Sequence, residues 1–278
     1  TEIDVLIKNP YAIYAKKILN LRKIENINFT ADHRNKGNLV HTTLEQFIAK
    51  NMDHLPEFNK SCLLLKERFH FALKDSQIPI EVQSLWNAQF ESRVKDIIFF
   101  EQQRRLVGMP VALEIFGKYT IKLKNNESFL ITAKADRIDK GLKGSIIYDY
   151  KTSQISKRNL ERFSPQLDIE ALMLDNGSFE NISAGDELIV SLVGVGSAPK
   201  QYQKSVTNEN LMAWYAGLVR IIEEMKIEPS AFVACMNDSK QNLFSNEFQH
   251  LSRFGEWNNT DEPTMINIKL ALKETVKV

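Results

Sequence analysis

The sequence predicts an α/β (α+β) fold, in which a mixed sheet is flanked by helices and preceded by a helical N-terminal region. Three observations lead there. Apolar residues recur at helical spacing through roughly the first hundred positions. Near Pro110 the period changes to the alternation of strands, in three segments joined by short turns. Helix and strand patterns then alternate as far as Lys226. Glycine and proline are sparse, 11 and 8 among 278 residues, which suits long regular elements rather than linkers.

Each element follows from local chemistry. Asn9 is suited to cap a helix that starts at Pro10, and Tyr11, Tyr14, Ala15, Ile18 and Leu21 follow at helical spacing. Residues 25–36 are polar and read as a loop. A helix begins near Gly37, with Val40, Leu44, Phe47 and Ile48 as its apolar stripe. Residues 63–106 stay helical with a break around Ile78 and Pro79, and Phe69, Leu73, Leu85, Trp86, Phe90, Val94 and Ile97 are their expected core. Residues 111–123, 129–139 and 145–151 alternate, with turns at Asn125-Asn126 and at 141–144, so an antiparallel meander is expected. A helix over 165–175, a strand over 186–196 and an amphipathic helix over 209–226 complete the pattern; the tail from Pro229 is irregular.

Composition narrows the function classes. Lysine and arginine number 36 and aspartate and glutamate 35, a net charge of +1. Such a chain does not attract a polyanion through its overall field, so a nucleic-acid partner has to be held by a local patch or by metal ions. Cys62 and Cys235, the two cysteines, cannot by themselves supply a four-thiolate zinc or iron–sulfur site. They fit a reducing, cytoplasmic setting. No apolar run approaches the roughly 18 residues of a membrane helix, and no secretory signal pattern is present. The first residue is Thr, as in a trimmed product or a piece of a longer chain.

The most informative segment is Tyr148-Asp149-Tyr150-Lys151-Thr152. Strand alternation places Asp149 and Lys151 on one face and the two tyrosines on the other. A lone D-x-K triplet usually marks a strand end with a surface ion pair. The preceding strand changes that, because it ends Lys134-Ala135-Asp136-Arg137-Ile138-Asp139. Paired across the 141–144 turn, Asp136 approaches Asp149 at one edge of the sheet. Two close carboxylates repel unless a cation lies between them, and hard divalent cations take oxygen ligands. Asp136, Asp149 and Lys151 thus suit metal-assisted phosphodiester hydrolysis. Asp139 is expected in the turn, where aspartate is common.

These residues resemble the PD-(D/E)XK nuclease superfamily in its RecB-like branch. The resemblance rests on Asp136-Arg137-Ile138-Asp139, Asp149-Tyr150-Lys151-Thr152 and Pro165-Gln166-Leu167, with the two motif aspartates 13 positions apart. Upstream, Gly37-Asn38-Leu39-Val40-His41 is similar to that branch's G-x-x-x-H motif. The start, Ile7-Lys8-Asn9-Pro10-Tyr11-Ala12-Ile13-Tyr14-Ala15, and the tail, Leu251-Ser252-Arg253-Phe254-Gly255-Glu256-Trp257, resemble the C-terminal nuclease region of alphaproteobacterial AddB-type double-strand break repair proteins.

The resemblance implies a restriction-endonuclease-like core and one nuclease domain over 1–278. Within it, residues 1–108 are mostly helical and carry His41, residues 109–228 form the nuclease core and residues 229–278 an irregular segment. It implies a Mg²⁺-dependent deoxyribonuclease, exonuclease or endonuclease, with Mn²⁺ as a substitute. His41, Asp136, Asp149 and the main-chain carbonyl of Tyr150 match the metal ligands, Lys151 the catalytic lysine and Gln166 the positioning glutamine. Some relatives hold an iron–sulfur cluster on four cysteines; with two, this chain is expected to have none. It also lacks a phosphate loop of its own. DNA is the implied partner, with a helicase–nuclease subunit of AddA type and no membrane.

Other residues carry less. A histidine beside an apolar stripe is more often structural; only the motif spacing makes His41 a ligand. Glu45 shares its helix face and is suited to orient the imidazole, or to lie solvated. Glu114, on the strand before the motif hairpin, reads first as an exposed strand glutamate. Ile169, Glu170 and Met173 share a face with Gln166, the methionine as core. Of the basic groups, Arg34 with Lys36 and Arg104 with Arg105 read as solvated faces. Lys157, Arg158 and Arg162 are the choice for phosphate contacts. Trp86, Trp214 and Trp257 read as core. The competing readings are a catalytically silent DNA-end-binding or helicase-docking module, a nuclease of CRISPR adaptation (disfavoured by the missing cysteines) and a restriction enzyme.

Overall fold

The computed structural model describes residues 2–22, 32–162, 165–196, 200–226, 232, 248–253 and 256. It divides into two compact units, Glu25–Arg220 and Thr1–Ile24 with Ile221–Val278.

The larger unit begins with four helices: α3 (His33–Lys50), α4 (Phe58–Lys74), α5 (Ile80–Glu91) and α6 (Val94–Val107). Helix α3 starts four residues before Gly37, because Asp32 caps it. The Asp32 carboxylate accepts from the Asn35 N–H at 2.8 Å, and the Asn35 amide oxygen accepts from the Asp32 N–H. The second break, at Ser92 and Arg93, has no proline or glycine to announce it. Val40, Leu44, Phe47, Phe69, Trp86, Phe90 and Ile97 form the core, with the Phe69 and Phe90 rings stacked at 3.9 Å. Leu85 is exposed, against expectation. Trp86 and Phe90, four apart, set the inward stripe of α5, and Leu85 lies outside it.

The sheet follows as β1 (Gly108–Lys122), β2 (Ser128–Gly141), β3 (Gly144–Lys151), β4 (Glu187–Gly194) and β5 (Lys200–Val206), in that spatial order. The first three strands form the expected antiparallel meander. Between β3 and β4 the chain crosses through α7 (Lys157–Arg162) and α8 (Pro165–Asp175), and the two strands pair parallel. Strand β5, antiparallel to β4, went unread in the sequence. Its residues, KQYQKSV, carry almost no apolar signal because it is an edge strand with lysines. Ile146, Tyr148 and Tyr150 of β3 face the helical core. Helix α8 lies against β1–β4 and is buried along nearly its whole length. Its Asp168 pairs with Lys204 of β5 at 2.6 Å. Helix α9 (Asn208–Lys226) comes last in the larger unit's order and runs past its end.

Two expectations fail at one place. Asp139 is a fully buried strand residue rather than a turn residue, and Arg104 and Arg105 are not solvated. Arg137 lies opposite Tyr148 and Asp139 opposite Ile146, so both face the α3–α6 core. There the Arg137 guanidinium donates to both Asp139 oxygens, at 2.5 and 2.7 Å, to Glu101 Oε2 of α6 at 2.6 Å and to the Tyr150 hydroxyl at 3.1 Å. Arg104 and Arg105 donate to the same Glu101 carboxylate at 3.1 and 2.7 Å. Burial alone would raise the Glu101 pKa, but the charges of Arg137 and Arg104 hold it at about 2. Asp139 goes the other way, its burial outweighing Arg137.

In the smaller unit, α1 (Glu2–Lys8) leads to α2 (Pro10–Ile13), whose cap is the expected Asn9 accepting from the Ala12 N–H at 3.3 Å. A π-helical turn, Tyr14–Ile18, follows; Ala15 is buried but Ile18 is exposed, because the wider turn takes it off the α-helical stripe. The Tyr14 and Phe232 rings lie 5.2 Å apart. Helix α10 (Gln249–Ser252) includes the first two residues of the tail motif, whose Phe254, Gly255 and Trp257 lie outside the described residues, as does Cys235. Among the described residues no helix is long and apolar enough to cross a membrane.

Removing one partner from a buried ion-pair network strands the others, at about 3–5 kcal/mol. Glu101→Gln is therefore expected to lower unfolding free energy by about 3 kcal/mol in urea titrations. The Glu101 pKa falls from an ordinary 4.5 to about 2 on folding, so its contribution is complete above pH 4.5 and lost as pH drops towards 2. The stability gap between parent and variant should close over that interval.

Candidate active site

The site forms where β2 separates from β3. Their registered pairs run from Lys140↔Ser145 to Arg137↔Tyr148. The next step would set Asp136 opposite Asp149, and there the ladder stops. Instead the Tyr150 N–H donates to the Asp136 carboxylate, Oδ2, at 2.9 Å. A side chain replaces a backbone acceptor, and the Asp136 carboxylate is drawn towards β3.

The β1–β2 ladder is interrupted at the same level. Its register passes from Leu113↔Arg137 to Ile115↔Ala135 without pairing Glu114 to Asp136. Glu114 has a φ of 48°, a left-handed conformation costly for a residue with a long side chain. From α3, His41 brings Nδ1 to 3.5 Å from Asp136 Oδ2. Ligand atoms of His41, Glu114 and Asp136 all lie within 4.8 Å of one another.

A second row of groups runs to α8. The Lys151 ammonium donates to Asp149 Oδ1 at 2.8 Å and to the Gln166 amide oxygen at 3.4 Å. The Gln166 amide nitrogen donates to Glu170 Oε1 at 3.2 Å. The other Glu170 oxygen is buried without a hydrogen bond among the described residues. Asp149 is almost fully buried, whereas the Lys151 side chain is 40% exposed, with its ammonium held between Asp149 and Gln166.

The electrostatics reflect acids crowded out of water. Burial, then the charge of Asp149, raise the Asp136 carboxyl to about 6, against the opposing pull of His41 and the Tyr150 N–H. Burial and then Asp149 and Asp136 push Glu170 well above the usual carboxylate range. For Lys151 burial works downward, but Asp149 outweighs it and keeps the ammonium charged.

Of the residues selected from sequence, His41, Asp136, Asp149, Lys151 and Gln166 meet here. Tyr150 contributes its N–H; its ring meets His41 edge-on and its hydroxyl belongs to the Arg137 network. Lys157 and Arg158 are exposed on α7, and the Arg162 side chain lies outside the described residues. Trp86 and Met173 are buried as expected, Trp214 is half-buried, and Trp257 lies outside the described residues. Glu114 and Glu170 were undervalued. Glu170 could have been found from its i+4 spacing to Gln166. Glu114 needed the β1–β2 register, which no local pattern supplies.

One imidazole and several carboxylate oxygens suit a hard divalent cation such as Mg²⁺ or Mn²⁺; Asp136, raised first by burial and then by the charge of Asp149, is a carboxyl such a cation would stabilise in its ionised form. The residues present therefore fit a metal.

Comparison with known proteins gives the family. A family model described as the PD-(D/E)XK nuclease superfamily matches residues 1–237. The chain belongs to that superfamily, whose nucleases use divalent metals. It is 30% identical over 261 residues to an uncharacterized protein of Rickettsia bellii, covering 87% of this chain and 31% of the relative. With an uncharacterized protein of Rickettsia typhi it shares 33% identity over 238 residues, covering 77% and 27%. The chain thus spans less than a third of either relative. A solved structure from Eubacterium rectale named "Putative exonuclease" aligns with a TM-score of 0.39 at 12% identity, covering 96% of this chain and 86% of that one.

If Asp149 raises Asp136 by its charge, Asp149→Asn should bring the Asp136 titration down from about 6 towards the ordinary aspartate value. Carbon-detected NMR of the metal-free protein reads this at the carboxyl carbon. A midpoint that stays at about 6 in the variant would show that burial alone sets it.

Proposed function

We propose that the chain is a Mg²⁺-dependent deoxyribonuclease of the RecB-like branch, the nuclease region of an AddB-type protein acting in double-strand break repair. The observation that carries the hydrolytic reading is the convergence of His41 from α3 with Asp136, Asp149 and Lys151 of the β2–β3 hairpin at the break between the two strands. The branch, the repair role, an AddA-type helicase–nuclease partner and one nuclease domain over the chain rest on the sequence segments around His41, Asp136, Asp149 and Gln166 and at both ends, and a cytoplasmic location on the two cysteines.

In this mechanism His41, Asp136, Asp149 and the Tyr150 carbonyl would hold Mg²⁺ or Mn²⁺, with Glu114 in reach. Such an ion, when bound, polarises the scissile phosphate and acidifies a water. Lys151 presents a charged donor, fixed by Asp149 and Gln166, to the oxygens on which negative charge grows, and orients the attacking water. Gln166 is in turn held by Glu170. Lys157, Arg158 and Arg162 contact backbone phosphates, which positions DNA without reading its sequence.

The test is cleavage of end-labelled single- and double-stranded DNA with Mg²⁺. Lys151→Ala and Asp149→Ala are each expected to lower the rate by at least about 10²–10³-fold, with circular dichroism matching the parent, and chelation of divalent ions should abolish it. Full activity in Lys151→Ala would refute the assignment. DNA binding without any cleavage by the parent would leave a silent end-binding module.

A further inference from the structure

Beyond the active centre the β1–β2 pair runs on alone. Strand β3 is in register with β2 only over residues 137–140, whereas β1 and β2 stay paired out to Lys122↔Ser128. One face of this ribbon is packed: Gly117, Ile121, Ile131 and Ala135 are buried, and a Cβ at Gly117 would fall 2.7 Å from the Phe179 ring. The opposite face is open. Phe116 and Leu130 are each 55% exposed, and Lys118, Lys122, Thr132 and Lys134 are exposed with them. The registered pairs Phe116↔Lys134, Lys118↔Thr132 and Thr120↔Leu130 set these side chains on one pleat face.

The chemistry of this face is uneven. Residues 115–122 and 128–135 include three lysines and no acid. Among the described residues, Lys118 and Lys122 have no carboxylate partner. At the root, Lys134 pairs at 2.5 Å with Glu114, whose carboxylate also lies beside His41 and Asp136. The open face is therefore continuous with the active centre. From Phe116 to Lys122 is six residues of strand, about 20 Å, or about six stacked nucleotides at 3.4 Å each. Lysines spaced along one strand face suit a backbone of phosphates, and an exposed aromatic among them suits a base that is free to stack. Duplex DNA hides its bases from such a ring.

We propose that the open face of the β1–β2 ribbon guides a single nucleic-acid strand to the active centre, with Lys118 and Lys122 on phosphates and Phe116 stacked on a base. The direction of travel rests on the nuclease reading; the binding does not. Anisotropy of a labelled oligothymidylate with the 278-residue chain, without divalent ions, tests it first. Phe116→Ala is expected to weaken binding about tenfold. Lys118→Gln with Lys122→Gln should lower the slope of log K against log salt by about 1.4. Affinity and slope equal to the parent's in both variants would overturn the guide. Catalysis is the second reading: kcat/KM on the oligonucleotide, divided by kcat/KM on bis(p-nitrophenyl) phosphate, should fall about tenfold in Phe116→Ala. An unchanged ratio overturns the guide. A parent that hydrolyses neither substrate sinks the nuclease reading, while weakened binding in the variants still upholds the guide.

Discussion

The hydrogen bond from the Tyr150 N–H to the Asp136 carboxylate is the interaction around which the centre is organised. In a continuing ladder that N–H would find a backbone carbonyl of β2. Because a side chain takes the carbonyl's place, the strands separate and the two acids share a poorly hydrated corner, which raises Asp136 to about 6. The strained Glu114 on the other side of β2 belongs to the same interruption. Backbone cost of about 1–3 kcal/mol at such a residue persists only where its surroundings hold it.

What holds them lies on the opposite face of the sheet. Arg137 follows Asp136 in β2, and alternation sends its side chain the other way, into the α3–α6 core. There Glu101, Asp139, Arg104, Arg105 and the Tyr150 hydroxyl tie β2 and β3 to α6. The two consecutive residues Asp136 and Arg137 thus serve a chemical site and a structural lock. Likewise the Tyr150 main chain holds Asp136 while its side chain joins the lock. A network this buried is costly to desolvate and gains its value from complete pairing.

Much of the fold was legible because it follows from short-range rules. The change of period at Pro110, the meander and its turns, and helix 165–175 agree with β1–β3 and α8. Strand β5 was not, since an edge strand needs few apolar residues. Leu85 was misplaced by one position on a helix, which is enough to turn a side chain by about 100° into solvent. Asp139 was misread because aspartate beside a turn is ordinary, and only the guanidinium of Arg137, two residues back, makes its burial tolerable.

By itself the sequence determined the types of most elements, β5 excepted, the strand faces of Asp149 and Lys151, and the candidates His41, Asp136 and Gln166, since these depend on periodicity, spacing and motif. The tertiary structure alone decided that Glu114 and Glu170 join them, that Arg104 and Arg105 are interior, and that one ribbon face stays open beside the centre. Those outcomes depend on strand register and on which helix covers which face. Both are set by long-range pairing and burial, which bring together residues that have no local pattern in common.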